Sequence, residues 1–118
     1  MRIAIPVDED KSTVCAVLGR APYFLIYDTE TEEKDRKPNP AAQAEGGAGI
    51  QAAQFIVDCK TDVLITPRCG TNSADVFKEA GILIYKSENG SAEENLTAFK
   101  EEKLSVLEKF HSGYHGIR

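Results

Sequence analysis

The sequence predicts an α/β protein in which helices pack on a mixed five-stranded sheet. Three observations support this fold class: five short apolar runs rich in β-branched or aromatic residues, three stretches with apolar residues at helical spacing, and their order. Three strands come first, and helices then alternate with strands. That order is typical of an antiparallel meander followed by βαβ crossovers with parallel strands.

The first half of the chain carries the meander. Alternating apolar residues predict a first strand over 2–7, and β-branched residues predict a short second strand over 13–18. An apolar run with aromatic residues at both ends predicts a third strand over 23–27. Residues 29–44 are polar and contain Pro38-Asn39-Pro40, so we expect a long mobile loop there.

Helices and strands alternate in the second half. A Gly-rich segment opens the first helix, a glycine at position 81 ends the second, and a capping box begins the third. We expect the third helix to run on through Leu107. The predicted elements are helix 47–59, strand 62–66, helix 71–80, strand 82–85 and a helix from Ser91.

Length and composition restrict the class of protein. The chain has 118 residues, 42% of them hydrophobic and 28% charged, which is ordinary for one folded domain. We expect one α/β domain over 1–110 and a flexible, histidine-containing tail over 111–118. The net charge of −5 argues against a nucleic-acid partner, which needs a basic face. No membrane-length apolar run or signal peptide is present, so we expect a cytoplasmic protein.

The predicted topology places a candidate anion site at one edge of the sheet. In open α/β sheets, ligands bind beyond the carboxyl ends of parallel strands, where two helix N-termini would here face one crevice. Gly-rich helix starts also serve tight turns alone, which is the alternative interpretation. The segment is not a P-loop, because it lacks the Lys-Ser/Thr pair. The candidate residues are Arg20, Gly46, Gly47, Gly49, Arg68, Cys69, Gly70, Thr71 and Asn72.

The three cysteines differ in their expected roles. Cys69 directly precedes a predicted helix N-terminus beside Arg68, and both features favour the thiolate that attacks electrophiles or binds metals. The alternative for Cys69 is a small packed side chain in a loop. Cys59 lies on an apolar helix stripe, so we expect it in the core.

Cys15, His111 and His115 complete the candidate metal ligands with Cys69. Cys15 lies near the predicted turn that carries Arg20, where it either packs or binds. His111 and His115 form an H-x3-H pair, a spacing compatible with metal binding. These histidines belong either to a solvated tail or to an arm that folds over a bound cluster.

Three segments resemble the dinitrogenase iron–molybdenum cofactor-binding family: MRIAIPVD at 1–8, LGRAPYF at 18–24 and GGAGIQAA at 46–53. The resemblance covers about residues 1–105. It implies a ribonuclease-H-like, three-layer fold without nuclease carboxylates. It also implies a non-enzymatic carrier of an anionic metal–sulfur cluster, either the iron–molybdenum cofactor or a related iron–sulfur species, with a client or assembly protein as partner.

The chain departs from the family pattern at Val17 and Leu18, where members commonly carry a His-Phe pair. Either the ligand set is rebuilt from Cys69, Cys15 and the tail histidines, or cofactor binding has been lost. Two other functions remain open. One is a thiol-redox enzyme with Cys69 as nucleophile, for which no CxxC partner is present. The other is a regulatory domain whose 29–44 segment contacts a protein.

Overall fold

The computed structural model describes residues 1–110. Their strands join into one sheet with the order β3-β2-β1-β4-β5. A 3₁₀ turn at Leu18–Arg20 precedes the second strand. The strands are β1 (Arg2–Val7), β2 (Tyr23–Asp28), β3 (Lys34–Pro38), β4 (Val63–Thr66) and β5 (Leu83–Lys86), and the helices are α1 (Ala48–Asp58), α2 (Thr71–Glu79) and α3 (Ala92–Lys100).

The sheet is mixed, as the element order predicts. β1 pairs with β2 and β2 pairs with β3 in antiparallel register, with Ile3 opposite Tyr27. β4 runs parallel to both β1 and β5. The carboxyl ends of β1, β4 and β5 therefore lie at the same edge of the sheet, and the loops that follow them can form one site.

Two cores cover the two faces of the sheet, because successive strand residues point to opposite sides. Ala4 and Phe24 belong to the core beneath α1 and α2. Ile3 and Ile5 belong to the core beneath α3, which includes the buried Leu96. The molecule is thus three layers deep. None of the helices in the described part of the chain is long and apolar enough to cross a membrane.

The prediction of a strand at 13–18 and a loop at 29–44 is wrong. Residues 13–18 make only isolated bridges, Val7 to Val14 and Thr13 to Ser91, before the chain enters the 3₁₀ turn. β3 lies inside the expected loop and forms one edge of the sheet. Most of its residues are exposed and charged, so it lacks the apolar alternation of a buried strand.

The expectation that the third helix extends to Leu107 is also wrong. α3 ends at Lys100, and Glu102 adopts a left-handed φ of 60°, which no α-helix continues through. The following segment turns back along β5, where the Leu107 amide donates to the Ile84 carbonyl at 2.9 Å. The apolar residues after α3 thus cover a sheet edge.

Candidate functional site

A cavity of about 410 Å³ lies where the 3₁₀ turn, the start of α1 and the loop between β4 and α2 meet. This volume falls within the roughly 300–1,000 Å³ of small-molecule sites. Its lining comprises residues 16–20 and 47–50, Arg68, Cys69, Gly70, Asn72 and Ser73. The edge of the sheet predicted to hold the site therefore carries a cavity with the predicted segments around it.

The two helices that begin at the cavity differ from α3 in how they start. Gly47 is the N-cap of α1, in the left-handed region with φ 68°, and Gly70 is the N-cap of α2; neither provides a side-chain cap. α3 instead begins with a complete capping box between Ser91 and Glu94. The cavity therefore has the positive ends of two helix dipoles beside it, and neither helix has a side-chain cap from its own N-cap residue.

Glycines allow the 3₁₀ turn, the start of α1 and the start of α2 to approach one another closely. A Cβ on Gly19 would lie 2.8 Å from the Gly49 backbone nitrogen, and a Cβ on Gly49 would lie 2.8 Å from the Ser73 Oγ. Both positions therefore require the absence of a side chain. Gly46 is different, because it is exposed and lies outside the lining, and no described residue beyond its chain neighbours comes within 4 Å of its Cβ position.

Among residues 1–110, arginine is the only charged residue type that lines the cavity, and no carboxylate of this part of the chain lines it. Arg68 is exposed. The Arg20 Nη1 donates to the carbonyl of Ala42 at 3.0 Å and also to that of Ala44, so it fastens the segment before α1 to the 3₁₀ turn. The chain as a whole is acidic, with nineteen Asp and Glu residues, whereas the charged residues of this lining are basic. This local positive charge favours an anionic ligand.

Cys69 lines the cavity but is only 1% exposed. Its Sγ contacts the Gly70 carbonyl at 3.5 Å. Burial raises the pKa of the Cys69 thiol to about 11, and the charge of Lys78 offsets this only in part. The expectation that the helix start and Arg68 favour the thiolate is wrong, because removal from water has the larger effect.

The remaining predicted ligands do not assemble into a metal site in the described chain. Cys15 lies beside the lining, half-buried, with its Sγ donating to the Val17 carbonyl at 3.6 Å, and burial raises its pKa. Thr71 lies outside the lining. His111 and His115 lie outside the described residues. Within residues 1–110, no group of three or more His, Cys, Asp or Glu side chains could hold a metal ion.

Sequence reasoning missed Ser73, which lines the cavity and is 5% exposed. In the sequence, Thr71-Asn72-Ser73 is a run of residue types that commonly cap a helix N-terminus, which conceals any role of Ser73 at a site. The structure instead gives that helix a glycine N-cap and places Ser73 in its first turn, facing Gly49 of α1. The available signal in the sequence was the position of Ser73 at the start of the second helix, close to Gly70.

The model of the dinitrogenase iron–molybdenum cofactor family matches residues 1–102. The chain therefore belongs to this family, which is named after the iron–molybdenum cofactor of dinitrogenase.

Two relatives share more than 30% of their residues with the chain. An uncharacterized protein of Methanocaldococcus jannaschii is 31% identical over 111 residues, which span 92% of this chain and 92% of that protein. The NMR structure of a NifB-like protein of the DUF35 family from Thermotoga is 34% identical and covers 96% of this chain and 98% of its own, with a TM-score of 0.80.

A third similarity concerns the fold alone. The apo form of the orange protein from Desulfovibrio gigas is 24% identical and matches with a TM-score of 0.82. The match covers 90% of this chain and 92% of that one. The three-layer arrangement thus recurs at low sequence identity.

Proposed function

We propose that this protein is a non-enzymatic binder or carrier of an anionic metal–sulfur cluster, iron–molybdenum-sulfur or iron–sulfur, in cofactor assembly. The observation that carries the proposal is the cavity itself, where two helix N-termini, two arginines and one buried cysteine converge and the described residues contribute no carboxylate. Membership of the cofactor family supports the choice of ligand. The proposal includes a ribonuclease-H-like fold, a domain over 1–110 and a tail over 111–118 that contributes His111 or His115.

The residues present fit such a cluster chemically. Backbone N–H groups and guanidinium groups neutralise negative charge, and they act strongly where water is excluded. Soft thiolates are the preferred protein ligands of iron–sulfur species. A metal ion lowers the pKa of a coordinating thiol enough to deprotonate it, so Cys69 would become a ligand on binding even though its pKa is about 11. We place the protein in the cytoplasm, where its cysteines stay reduced.

The raised pKa of Cys69 argues against the thiol-redox alternative, because a thiol with a pKa near 11 supplies almost no thiolate at neutral pH. The alternative of a regulatory domain that contacts a protein assumed that residues 29–44 form a long loop. Part of that segment is instead β3, and Asn39 fixes its end by donating to the Ala21 carbonyl at 2.9 Å. A client or assembly protein remains part of the carrier proposal.

Anaerobic reconstitution tests this function. The purified full chain is incubated with iron, sulfide and molybdate, desalted, and analysed for bound metal and for its visible spectrum. We expect the wild type to retain metal and Cys69→Ser to lose most of it. Cys59→Ser is the matched control, because Cys59 is also a free cysteine, half-buried where Cys69 is buried, but lies at the opposite end of α1 from the cavity. Equal retention by wild type and Cys69→Ser would refute the ligand role, and no retention by the wild type would refute the carrier.

A further inference from the structure

Ser73 has the features of a ligand-binding residue. It is 5% exposed, and its hydroxyl makes no hydrogen bond with any of residues 1–110. Thr61 and Ser87 are the described residues whose partnerless hydroxyls are fully enclosed by protein. The Ser73 hydroxyl is not enclosed in this way, since the side chain lines the cavity. Because this hydroxyl reaches the cavity and is not engaged by residues 1–110, it can donate a hydrogen bond to a ligand there.

The position of the Ser73 hydroxyl indicates which chemical class of ligand the cavity would bind. It lies between the first turns of α1 and α2, 2.8 Å from the position of a Cβ on Gly49. A small anion at this point would meet two dipole ends, a neutral hydroxyl donor and the charge of Arg68. The lining formed by residues 1–110 contains no carboxylate that would repel the anion.

We propose that the cleft between the two helix starts binds a free tetrahedral oxyanion of the molybdate, sulfate and phosphate class, with Ser73 donating a hydrogen bond to it. Such an ion carries its charge on oxygen atoms that accept hydrogen bonds in several directions, which suits donors converging from three segments. The charges agree, because two arginines line the cavity and such an ion carries about two negative charges. This binding requires no metal–sulfur cluster and is independent of the proposed carrier function.

Calorimetric titration of the metal-free full chain with sodium molybdate, sulfate or phosphate tests the proposal. Sodium chloride at matched ionic strength corrects for general screening. We expect saturable binding of at least one oxyanion, and the three titrations identify which one is preferred. Ser73→Ala should raise the Kd roughly 10-fold, because it removes one hydrogen bond to a charged group. Arg68→Gln should raise the Kd as well.

A second readout separates binding from structure. Since the Ser73 hydroxyl has no hydrogen-bond partner among residues 1–110, Ser73→Ala should unfold at the same or a higher urea concentration than the wild type in anion-free buffer. Ser91→Ala is the matched control: it removes a capping hydroxyl from α3, so stability should fall while the Kd stays unchanged.

Three results would overturn the proposal: no saturable heat with any of the three oxyanions at tens of millimolar, an effect equal to that of chloride, or an unchanged Kd in Ser73→Ala. If the protein retains a metal–sulfur cluster but binds none of these ions, this inference fails and the carrier function stands. Saturable, Ser73-dependent oxyanion binding by a protein that retains no cluster supports the inference and refutes the carrier function.

Discussion

Replacing Gly19 with alanine tests how closely the 3₁₀ turn packs on α1. The added Cβ would lie 2.8 Å from the Gly49 nitrogen and 3.0 Å from the Ala48 carbonyl carbon, both of which are backbone atoms. Backbone cannot rotate away as a side chain can, so the turn and the helix start must separate. Overpacking of this kind costs about 2 kcal/mol. For a domain of this size, that loss lowers the Tm by roughly 8 °C.

Thermal and urea unfolding followed by circular dichroism measure the effect, with Gly46→Ala as the matched control. Gly46 belongs to the same Gly-rich segment as Gly49, but an added Cβ there meets nothing within 4 Å. We expect Gly46→Ala to keep the wild-type stability or raise it slightly. If Gly19→Ala is as stable as Gly46→Ala, the 3₁₀ turn does not lie as close to α1 as the structure places it. The shape of the cavity would then be wrong as well.

Three further predictions concern stability and pH. Ser91→Ala removes the capping box of α3 and should lower the free energy of unfolding by about 1 kcal/mol in urea titration. Asn95→Ala should cost about 3 kcal/mol in the same assay, because buried Asn95 makes three hydrogen bonds, to the amide and carbonyl of Glu88 and to the Ser91 carbonyl. Near-wild-type stability of either variant would contradict its reasoning. Burial raises the pKa of Cys69 from 9.0 to about 11, so the folded state holds this proton more tightly than the unfolded chain. The resulting stability is complete below pH 9 and is lost as the pH rises through about 11. The urea midpoint of the wild type should therefore fall more steeply over this range than that of Cys69→Ala, and parallel curves would contradict the raised pKa.

The sequence predicts the buried elements well because their patterns are strong. The predicted strand at 2–7 agrees with β1, and the predicted helix 47–59 differs from α1 by one residue at each end. β3 has no such pattern. It pairs on one side with β2 and carries charged side chains and a proline, which protect an edge strand from further pairing and at the same time hide it from hydropathy analysis.

The location of the cavity is predictable from topology and glycine content, whereas the electrostatics of its lining are not. The sequence shows that Cys69 precedes a helix and follows an arginine, but it does not show that the thiol is 1% exposed. Burial then reverses the expected direction of the pKa shift. The role of Ser73 is equally hard to predict from the sequence. Only the packing of α2 against α1 shows that its hydroxyl faces the cavity and does not cap the helix.

An amide chemical-shift map tests the central claim most directly, since it reports both binding and its location. Isotope-labelled protein is compared before and after anaerobic loading with the metal–sulfur cluster. We predict that the largest changes or broadening fall on residues 16–20, 47–50 and 68–73, with small changes in β3 and α3. Changes concentrated on β3 or α3, or a spectrum unaltered while metal remains bound to the sample, would contradict the assignment of the cluster to this cavity.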